Sequence, residues 1–276
     1  MDFLFSFFNT LLLSFVELFY LLGILMAVGL LLGILERYSN RYLVRTFGPR
    51  GILVTAWIGT PIHEIGHLIQ CFIWGHRVTK VKLLQLNSPN GVLGYVEHTY
   101  NRHSIYQQVG NFFIGLGPIF SGIGSLILSM YFLVPQSYIA FLDQIQHHIT
   151  VDKFDLSVLK IIAEAVIVIF KSLFTIENLI NPLFWIFLII AISISSHIAL
   201  SKADIQGSAK GLLTIFVLLV LFNLIAGLFQ MDSYRLVVKI AKYNVYVLAF
   251  SSFALFFSLI TLVLSILFYK IKFLKG

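Results

Sequence analysis

Charge is what this chain has least of. Asp, Glu, Lys and Arg together make up 11% of its 276 residues, against about a quarter in ordinary soluble domains. A soluble domain needs polar surface, and with 59% hydrophobic residues and a mean hydropathy of +0.93 that surface is missing. The solvent that keeps such a chain dispersed is lipid. Cysteine is nearly absent too: a lone Cys71 excludes any intrachain disulfide and leaves the redox compartment open. No basic region precedes the first apolar run, which opens Met1-Asp2-Phe3 and continues to about Leu35 without a small-residue cleavage site. That run reads as an anchor, not as a cleavable signal. Nor is there an aromatic-and-basic stripe of the kind that grips nucleic acid. The net charge of +7 comes from Lys and Arg in short segments between apolar runs, where it meets anionic headgroups of the lipid bilayer.

What is present is length in apolar runs. A bilayer core takes about 20 apolar residues in a helix, and six stretches qualify: 11–35, 52–74, 109–133, 182–200, 209–230 and 245–269. The expected fold is an all-α polytopic membrane protein, multi-pass in the cell membrane, forming a single membrane domain over 1–276. Glu17 inside the first stretch is expected to face protein or to snorkel. Residues 156–176 carry Lys160, Glu164 and Lys171 at helical spacing among apolar residues, which fits an interfacial helix or a further span. Between the second and third stretches, Val78 to Leu86 and Val92 to Tyr100 are rich in β-formers and flank Asn90-Gly91. That pattern predicts a small β-hairpin. Lys and Arg divide almost evenly between the two sides of a six-span layout, so charge does not decide orientation. Nothing in the sequence sets the oligomeric state.

The chemistry sits at His63-Glu64-Ile65-Gly66-His67, an H-E-x-x-H pattern inside the apolar run 52–74. Residues four apart share a helix face, so both imidazoles reach one ion. Glu64 projects to the side, where it meets water on the metal without being a ligand. From the chain's own His and Glu frequencies a chance match is roughly one in two hundred. Three ionisable side chains in an apolar helix are costly and point to function; a polar cluster that only pins helices is the alternative. Thr60-Pro61 just upstream predicts a bend, which either opens the site to water or serves packing. Cys71 lies one turn beyond His67, as a further ligand or as a small packing residue.

A catalytic zinc site takes a third protein ligand. The polar break at 195–207 between two apolar stretches offers Asp204 first and His197 second. Against these stand a helix-cap role for Asp204 and an interhelical hydrogen bond for His197. The expected ligand set is His63, His67 and Asp204, with Zn2+ favoured because this motif generates a nucleophile without redox chemistry.

With these residues the chain resembles the site-2 protease family of intramembrane zinc metalloproteases. The likeness is carried by His63-Glu64-Ile65-Gly66-His67, by Asn111-Phe112-Phe113-Ile114-Gly115-Leu116-Gly117-Pro118 in the next span, and by Asp204 with Gly207. It covers roughly residues 52–230, leaving 1–51 and 231–276 as flanking helices. The chain departs from the family pattern at Ser121, where the family has Asn, and at Ile205-Gln206, which separate the aspartate from its glycine. The resemblance implies a helical core with a β-element near the site. It implies cleavage of a membrane protein or membrane-bound peptide within or near the bilayer, and residues 75–108 with both termini on the cytosolic side. Pairing of an extended substrate with a strand edge in 78–100 would expose a scissile amide that a helix hides. Two other function classes use the same residues: a metal-binding transporter or sensor, and an inactive membrane scaffold.

Overall fold

The computed structural model describes residues 2–86, 91–148 and 157–274. Its first helix, α1, runs Asp2–Phe47 and takes in the basic stretch Arg37 to Arg45 that hydropathy places outside a span. At 46 residues it is about 69 Å long. No proline interrupts it, and it stops only where Gly48 adopts φ +73° ahead of Pro49. Helix α2, Arg50–Ile73, continues through Pro61. It closes on a glycine stop, with Gly75 at φ +66° and the His76 N–H on the Cys71 carbonyl at 2.8 Å.

Strands β1, Arg77–Lys82, and β2, Tyr95–Thr99, then pair antiparallel, with an irregularity between Val78 and Lys80. The turn expected at Asn90-Gly91 lies partly outside the described residues. Helix α3, Ile105–Gly115, starts on a Ser104 cap and meets α4, Gly117–Leu133, at Leu116 with a 54° bend. Helices α5, Pro135–His148, and α6, Ser157–Leu173, follow; α6 packs against α5 and buries Ile169 and Leu173 completely. A short α7, Ile176–Ile180, leads into α8, Pro182–Ser195, and then α9, Lys202–Leu228. The chain ends with α10, Ser233–Ala241, and α11, Asn244–Leu274.

Among the described residues three helical segments, 4–47, 202–228 and 233–274, are long and apolar enough to cross a membrane, and the α3/α4 pair makes a fourth if it is one span. The helical, apolar class expected from composition is therefore present, together with a two-stranded sheet in the 77–99 region. Six alternating spans are not what the packing gives. The Lys272 Nζ donates to the Thr46 carbonyl at 2.5 Å, Phe47 meets Phe268, and the Asn244 amide donates to the Tyr20 and Leu21 carbonyls. So α1 and α11 run parallel, and their outer ends lie at opposite ends of the molecule instead of together.

Helices α8 and α9, expected as two spans of opposite sense, also depart from that layout. The Ser193 carbonyl lies against Gly59 and the His197 carbonyl meets His63, so α8 runs parallel to α2. Ser208 bonds the Phe112 carbonyl and Thr214 bonds Gln108, so α9 runs antiparallel to α3, which is itself antiparallel to α2. Both helices thus have one sense, joined by residues 196–201. A polar break in a hydropathy profile looks the same whether the chain turns back or carries on, which is why the sequence reading counted two spans.

The interior is dominated by aromatic packing. Phe187, Phe253 and Phe257 are fully buried and meet one another between α8 and α11. On the other flank Glu17 is buried, as expected for an acid in an apolar helix. Its Oε2 accepts from Asn223 Nδ2 at 2.6 Å, tying α1 to α9.

Candidate metal centre

Close helix approach puts α2 at the centre. A Cβ on Gly66 would overlap the Gly117 carbonyl and the Ser121 hydroxyl, so α2 and α4 can cross backbone to backbone only because both residues are glycine there. Ser121 donates to the Ile62 carbonyl at 2.8 Å across the same crossing. On the far side of α3, Gly115 lies against Ser208 and the Asp204 carbonyl, which brings the first turn of α9 towards α2.

His67 Nδ1 lies 2.7 Å from the Ile114 carbonyl, and His63 Nδ1 lies 2.7 Å from the His197 carbonyl. A carbonyl only accepts, so in both rings Nδ1 carries the proton and Nε2 presents a lone pair in the neutral imidazole. Both carbonyls lie beside a break in a helix. Proline has no N–H, so Pro118 cannot donate to Ile114 four residues back. His197 lies past the Ser196 cap of α8, where the next backbone donors have left the helix.

The two Nε2 atoms converge to 3.2 Å, and Asp204 completes the group with Oδ1 3.1 Å from His67 Nε2 and Oδ2 3.6 Å from His63 Nε2. One ligand atom from each of the three lies within 4.8 Å of the others. With both Nδ1 protons committed to carbonyls, the facing atoms are two lone pairs and a carboxylate. They repel one another unless a proton or a metal cation lies between them, and this donor set of two imidazoles and one carboxylate could hold a divalent ion such as zinc. Asp204 is also a helix cap. Its Oδ2 accepts from the Ser201 N–H at 2.7 Å while the Ser201 hydroxyl accepts from the Asp204 N–H at 3.2 Å. The carboxylate has two oxygens, so the cap bond on Oδ2 leaves Oδ1 facing His67.

The His197 ring does not join the group; its Nε2 pairs with the Thr55 hydroxyl at 2.9 Å. Cys71 is buried and also stands outside the cluster. Glu64 is buried beside the histidines, and among the described residues none donates a hydrogen bond to its carboxylate. It lines a cavity of about 830 Å³ that also takes in His63, Thr60, Glu36 and residues 91–94. The Thr60 hydroxyl in that wall is buried without a partner among the described residues. Gly94 lies directly over Glu64: a Cβ there would stand 2.8 Å from its Cγ and 2.9 Å from its Oε1. The cluster thus has a carboxylate poised over a cavity on one side and three cation-ready ligands on the other.

Sequence reasoning missed the backbone acceptors, although Pro118 four residues after Ile114 was a readable sign of a freed carbonyl. It also missed Glu36 and Gly94, which carry no motif and matter only through where the fold puts them. Comparison of the chain with family models, with characterised proteins and with solved structures finds no match.

Proposed function

We propose that this protein is an intramembrane zinc metalloprotease of site-2 protease type, hydrolysing a peptide bond of a membrane protein or membrane-bound peptide. The observation that carries the reading is the approach of Asp204 to the paired histidines, with the free Glu64 carboxylate alongside. His63, His67 and Asp204 would hold the ion. Bound zinc supplies a water of lowered pKa and a Lewis acid for the scissile carbonyl. Glu64 acts as general base. No described residue engages its carboxylate, and it faces the cavity, so it is free to take a proton from the attacking water and pass it to the leaving amine. The Ile114 and His197 carbonyls hold both imidazoles in the tautomer that points Nε2 at the ion. Strands β1 and β2 abut α2, and the residues leading into β2 line the cavity. An extended substrate segment pairs there with a strand edge.

The protein crosses the bilayer as an integral membrane protein. Its passages are α1, α2, the bent pair α3/α4, the broken pair α8/α9, and α11. Irregular backbone at membrane depth is tolerated where it lines a cavity or is buried in protein, and both breaks flank the cluster.

The test is made on detergent-purified wild type, Glu64→Gln, His67→Ala and Asp204→Ala, measuring bound zinc and cleavage of a panel of transmembrane peptides. The expected pattern is stoichiometric zinc with cleavage in wild type, zinc without cleavage in Glu64→Gln, and loss of both in the ligand variants. Wild type without zinc would refute the reading in favour of a scaffold. Metal transport that survives Glu64→Gln would assign the site to a transporter.

A further inference from the structure

Residues 196–201, the segment that joins α8 to α9, carry the backbone groups that orient two of the three ligands. The His197 carbonyl accepts from His63, and the Ser201 N–H donates to Asp204. Between them the Ala199 N–H donates to Glu36 Oε2 at 3.2 Å, while Glu36 Oε1 accepts from Asn40 Nδ2 at 3.3 Å. Glu36 stands on α1, a helix that lies outside the two-histidine core and is secured along α11 by the Lys272–Thr46 bond and the Tyr42–Tyr269 and Phe47–Phe268 contacts.

We propose that Glu36 is a positioning residue of the metal centre: by holding the Ala199 N–H it fixes the 196–201 segment and so sets His63 and Asp204 together for a divalent cation. The inference rests on the metal-centre reading given above. An irregular connection has no ladder of its own, so its position is fixed by the few partners that reach it. Ala199 lies midway between His197 and Ser201, two residues from each, so one acceptor there limits movement at both ends. The acceptor comes from a rigid helix, and Asn40 one turn further along α1 holds the carboxylate in the orientation that reaches Ala199. A shift of the segment would turn the His63 ring and draw the Asp204 carboxylate away in one motion. Outer partners of metal ligands act in this way on affinity and geometry.

The experiment uses the full chain in detergent and reads metal binding directly: zinc affinity by competition with a chromophoric chelator, and the visible absorption of the Co2+-loaded protein as a report of ligand geometry. Glu36→Asp keeps the charge but is one methylene too short to reach Ala199; Glu36→Gln loses the charge but keeps the acceptor; Glu36→Leu loses both. Zinc affinity is expected to fall about 10- to 100-fold in Glu36→Asp and Glu36→Leu, with a changed Co2+ spectrum, and to stay within about twofold in Glu36→Gln. Should Glu36→Leu fail to fold, the Asp and Gln variants decide alone. Wild-type affinity in Glu36→Asp overturns the proposal. So does an equal loss in Glu36→Gln, since charge and not the hydrogen bond would then be acting. A wild type that binds neither zinc nor Co2+ refutes the metal centre itself, and that result is read before any variant is compared.

Discussion

His67 donates its Nδ1–H to the carbonyl of Ile114, 2.7 Å away, across the break between α3 and α4. Pro118 has no N–H to compete for that carbonyl from four residues on. Pro118→Ala restores a competing donor and lets α3 run straight into α4, so the ring loses its anchor. Zinc affinity is expected to fall about tenfold, at the mild end for outer partners of metal ligands. Chelator competition checks it, and an unchanged affinity would show that the break does not serve the histidine.

Gly94 over Glu64 gives a different signature. Gly94→Ala puts a methyl 2.8 Å from the Glu64 Cγ, so either the carboxylate turns or the strand lifts. Zinc content should hold, because no ligand is touched, while kcat drops by about 10- to 100-fold for a displaced general base. Full turnover in this variant would mean that the close packing of residues 91–94 on Glu64 is irrelevant to catalysis.

The cap role of Asp204 and its proposed ligand role can be separated by two substitutions. Ser201→Ala removes the hydroxyl half of the cap and should cost about 1 kcal/mol of stability, leaving the carboxylate in place and zinc bound. Asp204→Asn keeps an acceptor for the Ser201 N–H but loses the charge facing two imidazole lone pairs, so zinc is released with little change in thermal stability of the metal-free protein. Equal zinc loss in both variants would contradict the separation.

A second histidine pair gives a pH prediction. The Gln107 carbonyl accepts from His76 Nε2 at 2.8 Å, which leaves His76 Nδ1 to accept from His98 Nδ1 at 2.9 Å. Burial holds His76 below the ordinary histidine value. His98 is pushed down to about 4, by burial first and then by the facing His76. The folded sheet therefore prefers neutral rings, while the unfolded chain protonates near pH 6.5. Stability from this pair is full above about 6.5 and is lost as pH falls towards 4. Amide exchange in β1 and β2, corrected for its intrinsic pH dependence, should quicken between pH 7 and 5, and less so in His98→Gln. Protection that ignores pH over that range would rule the pair out as a clasp.

The α2–α4 crossing yields the strongest stability effect. Gly66→Ala drives a methyl into the Gly117 carbonyl, and overpacking of this kind costs about 1–3 kcal/mol. Thermal unfolding in detergent should show a clear drop in Tm together with weaker zinc binding. A Tm equal to wild type would mean that the helices can part without loss.

Much of this protein was written in its residues. Low charge and long apolar runs dictate buried, internally hydrogen-bonded helices, because unpaired backbone groups are expensive away from water. Four-residue spacing dictates that His63 and His67 share a face of α2, and the β-formers in 78–86 and 92–100 form paired strands over part of their length, Arg77–Lys82 with Tyr95–Thr99. Local rules of this kind need only near neighbours, so they can be read from one chain.

Other features depend on residues far apart in sequence meeting in space, and only the tertiary structure decided them. The sequence ranked Asp204 ahead of His197 but could place neither; packing of α9 on α3 at Gly115 brings the Asp204 carboxylate to the paired histidines, while packing of α8 on α2 at Gly59 puts the His197 ring on Thr55. That the break carries the chain onward instead of back is fixed by contacts of α8 with α2 and of α9 with α3. The roles of Ile114, Glu36 and Gly94 rest on a carbonyl, an N–H and a missing methyl. Such groups occur in nearly every residue, and they acquire meaning only when long-range packing selects which of them face the His63–His67–Asp204 cluster.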